Sequence, residues 1–282
     1  MLINNPTAGD FDIRASFKQI SGLVRRRNAK GNGAVAAKRL EQLLNVAVKV
    51  AAGTPPIEYE KQQYLWIQQN PELAAAMIGE QLGKARIADM LNASTLAASA
   101  AIGGNAAAVE GDGTQDTSFV GLNNGGAKFG DRSAAIRAWV MHSGFATKLV
   151  NAALSNASNL FTYDNVNVVR DPLGRVFVIT DSPSLMVAGA TPTYKALGLV
   201  EDAVVVSDNA DFNAELVPLV GTENIRYQYQ AEWTYNVGLK GYKWDMTAGG
   251  SSPTDAAIGT GTNWVQTATS IKDTAGVMVH AK

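Results

Sequence analysis

Residues 225–237 alternate without a break. Ile225, Tyr227, Tyr229, Ala231, Trp233, Tyr235 and Val237 fall on one side of an extended chain. Arg226, Gln228, Gln230, Glu232, Thr234 and Asn236 fall on the other. A strand has a side-chain period of two, so this run reads as one strand with a buried face and a wet face. At about 3.3 Å per residue it reaches roughly 40 Å, about twice the usual strand. An element that long suits a protein that reaches, spans or tiles.

The remaining composition narrows the classes. The chain has 282 residues, enough for one large or two ordinary domains. Charged residues make up 17%, below the usual ~25%. That fits an exterior covered by partners, and it equally fits an ordinary Ala/Gly-rich domain. The net charge of −1 gives no global attraction to DNA or anionic lipid. The charge is uneven, however. Residues 1–50 hold nine Lys/Arg against three acids, and the remainder holds 15 against 22. A basic piece and an acidic body can attract each other between copies, or attract a polyanion.

There is no cysteine, which excludes disulfides, Cys-ligated zinc and thiol catalysis. Met-Leu-Ile-Asn-Asn-Pro shows no basic region leading into an apolar run, so no signal peptide is expected. No stretch approaches the ~18 apolar residues of a membrane helix.

Along the sequence, Phe11, Ile13, Phe17, Ile20 and Leu23 read as a short helix face, and Ala34 to Leu44 has helical composition. Arg25 to Gly33 between them reads as an open loop. Residues 45–67 read as a hairpin: Val46, Val48 and Val50 on one arm, Ile57, Tyr59 and Tyr64 to Ile67 on the other, Gly53-Thr54-Pro55-Pro56 at the turn. Residues 71–102 predict the clearest helix. Asn70 is placed to cap it, Pro71 takes the first position, and Gly103-Gly104 stops it. Residues 104–127 read as Gly-rich loop. A second helix is expected from Asp131 or Ser133, with Ile136, Trp139, Val140, Leu149, Val150 and Leu154 as its apolar positions. Val166–Val169 and Val176–Thr180 read as strands around Asp171-Pro172-Leu173-Gly174. Tyr194–Leu199 and Ala203–Ser207 repeat that pattern around Glu201-Asp202. Trp244 and Trp264 anchor the Gly/Thr/Ser-rich C-terminal part.

Residues that do chemistry are sparse. His142 and His280 are the two histidines. A helical His among apolar neighbours reads as a packed residue, and a Ser143-His142-Asp triad lacks the Gly-x-Ser-x-Gly elbow. Glu110, Asp112 and Asp116 lack the ligand order of a calcium loop and read as a solvated loop, as do Asp208, Asp211 and Glu215. The glycine clusters at 31–33, 121–126 and 259–262 match neither phosphate-binding pattern. Arg25, Arg26, Arg27, Lys30, Lys38 and Arg39 form a modest basic patch, expected to make intersubunit contacts or weak, sequence-blind contact with DNA.

Several stretches then agree in order with one family. Lys128-Phe129-Gly130-Asp131, Ala138-Trp139-Val140-Met141-His142-Ser143, and Asp171-Pro172-Leu173-Gly174-Arg175-Val176 through Thr180-Asp181-Ser182-Pro183 come first. Leu197-Gly198-Leu199-Val200-Glu201-Asp202-Ala203-Val204, Asn236-Val237-Gly238-Leu239-Lys240-Gly241-Tyr242-Lys243-Trp244-Asp245, and Asn263-Trp264 follow. Together they resemble major capsid proteins of tailed bacteriophages, over about residues 125–270 directly and over the first 100 by architecture.

The resemblance implies an α+β protein with the Hong Kong 97 (HK97-like) capsid fold and no catalytic residue, metal or cofactor. On it, residues 1–44 are the N-terminal arm, and 45–67 the extended E-loop hairpin, whose base could begin nearer Ser21. The tip Gly53, Thr54, Pro55 and Pro56 touches a neighbour. Residues 68–130 form the peripheral (P) domain with spine helix 71–102, residues 131–205 the axial (A) domain, and residues 206–282 the return to the P-domain with a C-terminal segment. The implied function is self-assembly, as pentamers and hexamers, into the icosahedral head around double-stranded DNA. The implied partners are further copies, the portal, scaffolding and decoration or cement proteins, and packaged DNA through weak contacts; no membrane is involved. The implied location is the virion shell, assembled in the bacterial cytoplasm. An encapsulin-like or tail-tube shell protein is the alternative, and a hydrolase the most distant one.

Overall fold

A computed structural model describes residues 2–4, 9–17, 24–37, 39, 42–60, 69–155 and 174–282. In sequence order these form β1 (Leu2–Asn4), β2 (Phe11–Phe17), β3 (Gln42–Gly53), β4 (Ile57–Glu60), α1 (Pro71–Gly103), β5 (Val109–Glu110), α2 (Phe119–Ala127), β6 (Ile136–His142) and α3 (Ser143–Ser155). Then come β7 (Val176–Thr180), β8 (Met186–Val187), β9 (Thr193–Val200), β10 (Val204–Asp208), β11 (Asn213–Leu219), β12 (Arg226–Leu239) and β13 (Tyr242–Trp244). The short helices α4 (Met246–Gly249) and α5 (Asp255–Ile258) lead to β14 (Trp264–Gln266) and β15 (Gly276–Ala281).

The alternating run is β12, and it is the middle of a seven-stranded sheet. It is longer than any single partner, so each of its edges is taken by two strands in succession. β10 and β11 share one edge. β3 and β4 share the other. β2 extends the sheet beyond β3, and β1 runs parallel to β10 at the far side. Between β10 and β11 the backbone kinks at Asp208–Asp211. Asn209 donates to Thr234 Oγ1 at 2.8 Å, and Thr234 donates its N–H to Asp211 at 2.7 Å and its hydroxyl to the same carboxylate. Partial burial pushes the Asp211 carboxyl up, but the Thr234 bonds outweigh it and hold the group below its ordinary value.

The inward side chains Ala231, Trp233, Tyr235, Val237 and Leu239 are buried with Val46, Val48 and Val50 from β3. Their cover is the C-terminal half of α1, from Met90 through Ala93, Ala97, Ala98, Ala101 and Ile102. Small side chains let the helix approach the sheet closely there. Two polar ties fix it one turn earlier: Arg86 grips Asp208 at 2.8 Å, and the Tyr235 hydroxyl donates to Asp89 at 2.8 Å. The helix runs as expected from Pro71, although the Asn70 side chain makes no capping bond.

A six-stranded sheet, in the order β5-β15-β9-β6-β7 with β8 on β9, forms the second layer. One of its faces contributes Leu197 and Met278 to the α1 core. The other face buries Trp139, Met141, Phe177, Ala196, Val277 and Val279 with Leu122, Phe145 and Leu149 from α2 and α3.

Several expectations are corrected here. Ile136, Trp139 and Val140 lie on strand β6, and the helix begins only at Ser143. β6 is flanked on both edges and packed on both faces, so its apolar residues run on without a strand's alternation. Residues 104–127 are not all loop. The Ser118 hydroxyl accepts from the Gly121 N–H and starts α2, and Gly125 is needed because a Cβ there would lie 2.4 Å from Val279. β9 and β10 belong to different sheets, with Asp202 at φ 55° between them. Phe11–Phe17 is strand, and residues 34–37 and 39 are irregular. Val166–Val169, Asp171–Leu173, Ile20 and Leu23 fall outside the described residues. β15 is inserted between β5 and β9.

The two tryptophans are anchors, as expected. Trp244 and Trp264 meet edge to face at 5.0 Å, and their indole N–H groups donate to Gly250 and Ile258 carbonyls at 3.0 and 2.9 Å. Trp244→Ala should lower unfolding free energy by roughly 3–5 kcal/mol, whereas Val217→Thr on exposed β11 should change it by less than about 0.5 kcal/mol. Denaturant titration measures both.

Candidate assembly surfaces

The first sheet carries opposite charge at its two ends. β2 and β3 pair from Phe11 opposite Val48 to Phe17 opposite Gln42, so they form a hairpin that runs out past the C-terminal end of β12. Its connection, residues 18–41, holds the basic patch. Arg25, Arg26, Arg27, Lys30 and Arg39 are exposed, and among the described residues none of them forms an ion pair. Lys38 lies outside the described residues. Val24 is 91% exposed, so apolar surface accompanies the charge. The loop 24–39 holds six cations and no acid.

The other end of β12 is a three-stranded ribbon of β11, β12 and β4. Register divides its side chains. Glu58, Glu60, Glu215 and Glu232 share one face with Gln228, Gln230 and Arg226. Ile57, Tyr59, Leu216, Tyr227 and Tyr229 share the other. Arg226 bonds Glu58 at 2.8 Å and is the ribbon's one cation against those four acids. The acidic face was missed in the sequence, although Glu58-x-Glu60 and the even-numbered polar residues of β12 carry its signal.

Gly53, Thr54, Pro55 and Pro56 are not a hairpin tip. β3 and β4 run in the same direction along one edge of β12, and these residues are the break between them. Thr54 donates its N–H to Ala231 O at 2.8 Å, and its hydroxyl accepts from the Ala231 N–H at 2.9 Å. A Cβ on Gly53 would stand 2.8 Å from that same carbonyl. The prolines lack a donor, so the ladder is interrupted there for one step and resumes at Ile57.

A second exposed apolar surface lies on the first half of α1. Leu73, Met77 and Ile78 are exposed, Ile87 at its end is 66% so, and exposed Leu91 carries the surface into the second half. Among the described residues, this helix of about 50 Å is covered mainly over its second half. Val178, Ile179 and Val187 add apolar surface on the second sheet.

Both histidines and the acids Glu110, Asp112 and Asp116 have structural partners. His142 closes β6, where its Nδ1 accepts from Gly144 N–H at 3.0 Å and its ring lies against Tyr194. His280 is on β15, with Nε2 2.9 Å from Thr193 Oγ1. Burial, helped by Lys195, pushes His280 below the ordinary value of 6.5, against a small opposing pull from Asp112. Glu110 pairs with Lys128 at 3.0 Å, Asp112 bonds Thr114, and Asp116 lies 3.6 Å from Lys282. Among the described residues no three His, Asp or Glu side chains gather to hold a metal.

The sequence matches the model of the Gp13-like family, described as "Major capsid protein 13-like", over residues 1–278. No curated protein matches it in sequence. Among solved structures it is similar to one from Mycobacterium phage Adephagia, with TM-score 0.58 and 11% identity, covering 100% of this protein and 88% of that one. It is also similar to the Cyanophage Pam1 capsid asymmetric unit, with TM-score 0.55, 11% identity, and 98% and 85% coverage. The capsid of Ralstonia phage GP4 gives TM-score 0.53, 10% identity, and 99% and 86% coverage. At such identities the likeness is one of fold, and the α+β capsid fold expected from the sequence is the fold observed.

Two outcomes follow from these surfaces. The native state resists protonating His280, so the unfolded state binds a proton first as pH falls below 6.5. Stability is therefore full above that value and declines from it down to the lowered native value; His280→Gln should flatten that part of a pH–stability curve. Ile87→Ser should leave monomer unfolding within about 0.5 kcal/mol of the parent while reducing the yield of assembled material in a sedimentation profile.

Proposed function

This chain belongs to the Gp13-like family of major capsid proteins and has a structural role in a phage capsid; on that premise we propose how its copies interlock. The basic loop of one copy lies on the acidic ribbon face of the next. The observation that carries this reading is the charge division of one sheet, with six cations in loop 24–39 and Glu58, Glu60, Glu215 and Glu232 on one face at the opposite end. Such an arrangement is head-to-tail, and head-to-tail contacts close into rings when the rotation permits. Pentamers and hexamers of an icosahedral head around double-stranded DNA are the rings we assign.

In this reading the β2–β3 hairpin with residues 18–41 is the E-loop, and the N-terminal arm shortens to residues 1–10. α1 is the spine helix, the sheet around β12 belongs to the P-domain, and the sheet around β9 and β15 to the A-domain. The portal, scaffolding and decoration proteins are its further partners, and assembly takes place in the bacterial cytoplasm. Contact of the loop cations with packaged DNA is weak and sequence-blind.

Exposed ion pairs contribute only about 0.2–1 kcal/mol each. Charge therefore sets register and direction, while burial of the α1 and ribbon apolar faces, at about 25 cal/mol per Å², supplies most of the cohesion. Changing Arg25, Arg26 and Arg27 together to Glu should abolish megadalton particles in sedimentation and electron microscopy, with an unchanged melting temperature. Adding Glu58→Lys and Glu215→Lys should restore particles. Normal particles from the triple variant would rule the reading out.

A further inference from the structure

The sequence has two Asn-Gly pairs, Asn32-Gly33 and Asn124-Gly125, and one Asp-Gly pair, Asp112-Gly113. Their surroundings differ sharply. Asn32 and Gly33 are exposed, in irregular backbone within the basic loop. Apart from its chain neighbours, no described residue comes within 4 Å of where a Gly33 Cβ would stand. Among the described residues the Gly33 N–H donates to nothing. Asn124-Gly125 is inside helix α2, with Gly125 buried against Val279 and Trp139. Gly113 is held at φ 88°, and its N–H donates to His280 O at 3.1 Å.

We propose that Asn32 is a self-modification site, at which the basic loop converts its own asparagine to aspartate and isoaspartate. The Gly33 backbone nitrogen loses its proton and attacks Asn32 Cγ. The new bond from that nitrogen to Cγ closes a five-membered succinimide, and the Cγ–Nδ2 bond of Asn32 breaks, releasing ammonia. Water then opens the ring at either carbonyl. One water enters and one ammonia leaves, so neither oxidant nor cofactor is needed. The reaction requires a free backbone nitrogen and a backbone that lets the amide bend onto it. Glycine lacks the Cβ that would obstruct this bend. Helix α2 denies both requirements at Asn124 until the helix opens.

The product places a carboxylate among six cations that otherwise have no acidic neighbour in the loop. The modification thus lowers the charge of the segment by one unit wherever that charge is used. The inference does not depend on what the loop binds.

The test uses the full-length protein, incubated folded in neutral to mildly alkaline buffer and then digested with trypsin. Cleavage after Lys30 and Lys38 isolates residues 31–38, where mass spectrometry reads amide-to-acid conversion. Asn32 should convert about tenfold faster than Asn124 in the folded protein, and the two should converge in denaturant. Gly33→Ala should slow Asn32 by about tenfold and leave Asn124 unchanged. Equal rates in the folded protein would overturn the proposal. So would a difference that persists undiminished in denaturant, or an unaffected rate in Gly33→Ala.

Discussion

Strand β12 is the constraint on which the fold depends. It spans Arg226–Leu239, and no single partner matches it, so its hydrogen-bonding edges are completed by four shorter strands from separate parts of the sequence. Every change of partner needs a local irregularity. On one edge this is the Asp208–Asp211 kink, locked onto Thr234. On the other it is the Gly53–Pro56 break, locked onto Ala231. Both interruptions fall near the same stretch of β12. Beyond it the core thins: Tyr229 still packs against its margin, and β12 passes from buried to half-buried side chains.

That division explains how one protomer is well folded and yet incomplete. Over its inner half β12 contributes Trp233, Tyr235 and Val237 to a core closed by α1. Over its outer half the same alternation places half-buried Tyr227 and Tyr229 on one face and the ribbon's carboxylates on the other. Stability comes from the first half, and the contacts proposed between copies use the second. Substitutions in the two halves therefore act on different equilibria.

Much of this was legible in the sequence, and the misses have physical causes. Long, unambiguous periodicity located β12 and α1 to within two residues, and the tryptophan anchors followed from their setting among small polar residues. The segment around Gly53–Pro56 was misread because Gly and Pro mark any interruption of a ladder, whether the backbone reverses or steps past a bulge. Only the partner distinguishes the two cases, and the partner lies over 170 residues away. β6 was misread as helix because burial on both faces removes the alternation that would reveal a strand. The β2–β3 hairpin was hidden by its own loop: three adjacent arginines describe an open segment correctly but do not say which strands it joins. The acidic ribbon face escaped for a related reason, since its four glutamates come from three separate strands and become a surface only through register.

The placement of β15 has a consequence for synthesis. β9 lies between β6 and β15, and β5 has β15 as its strand partner. A ribosome that has just released β9 must add roughly 80 more residues before that edge is filled, on the order of 4–16 s at bacterial translation speed. Throughout that interval the nascent polypeptide shows an open strand edge flanked by Ala196 and Leu197, a template for unwanted pairing. Vectorial production therefore leaves the second layer open until β10 to β14 have been made.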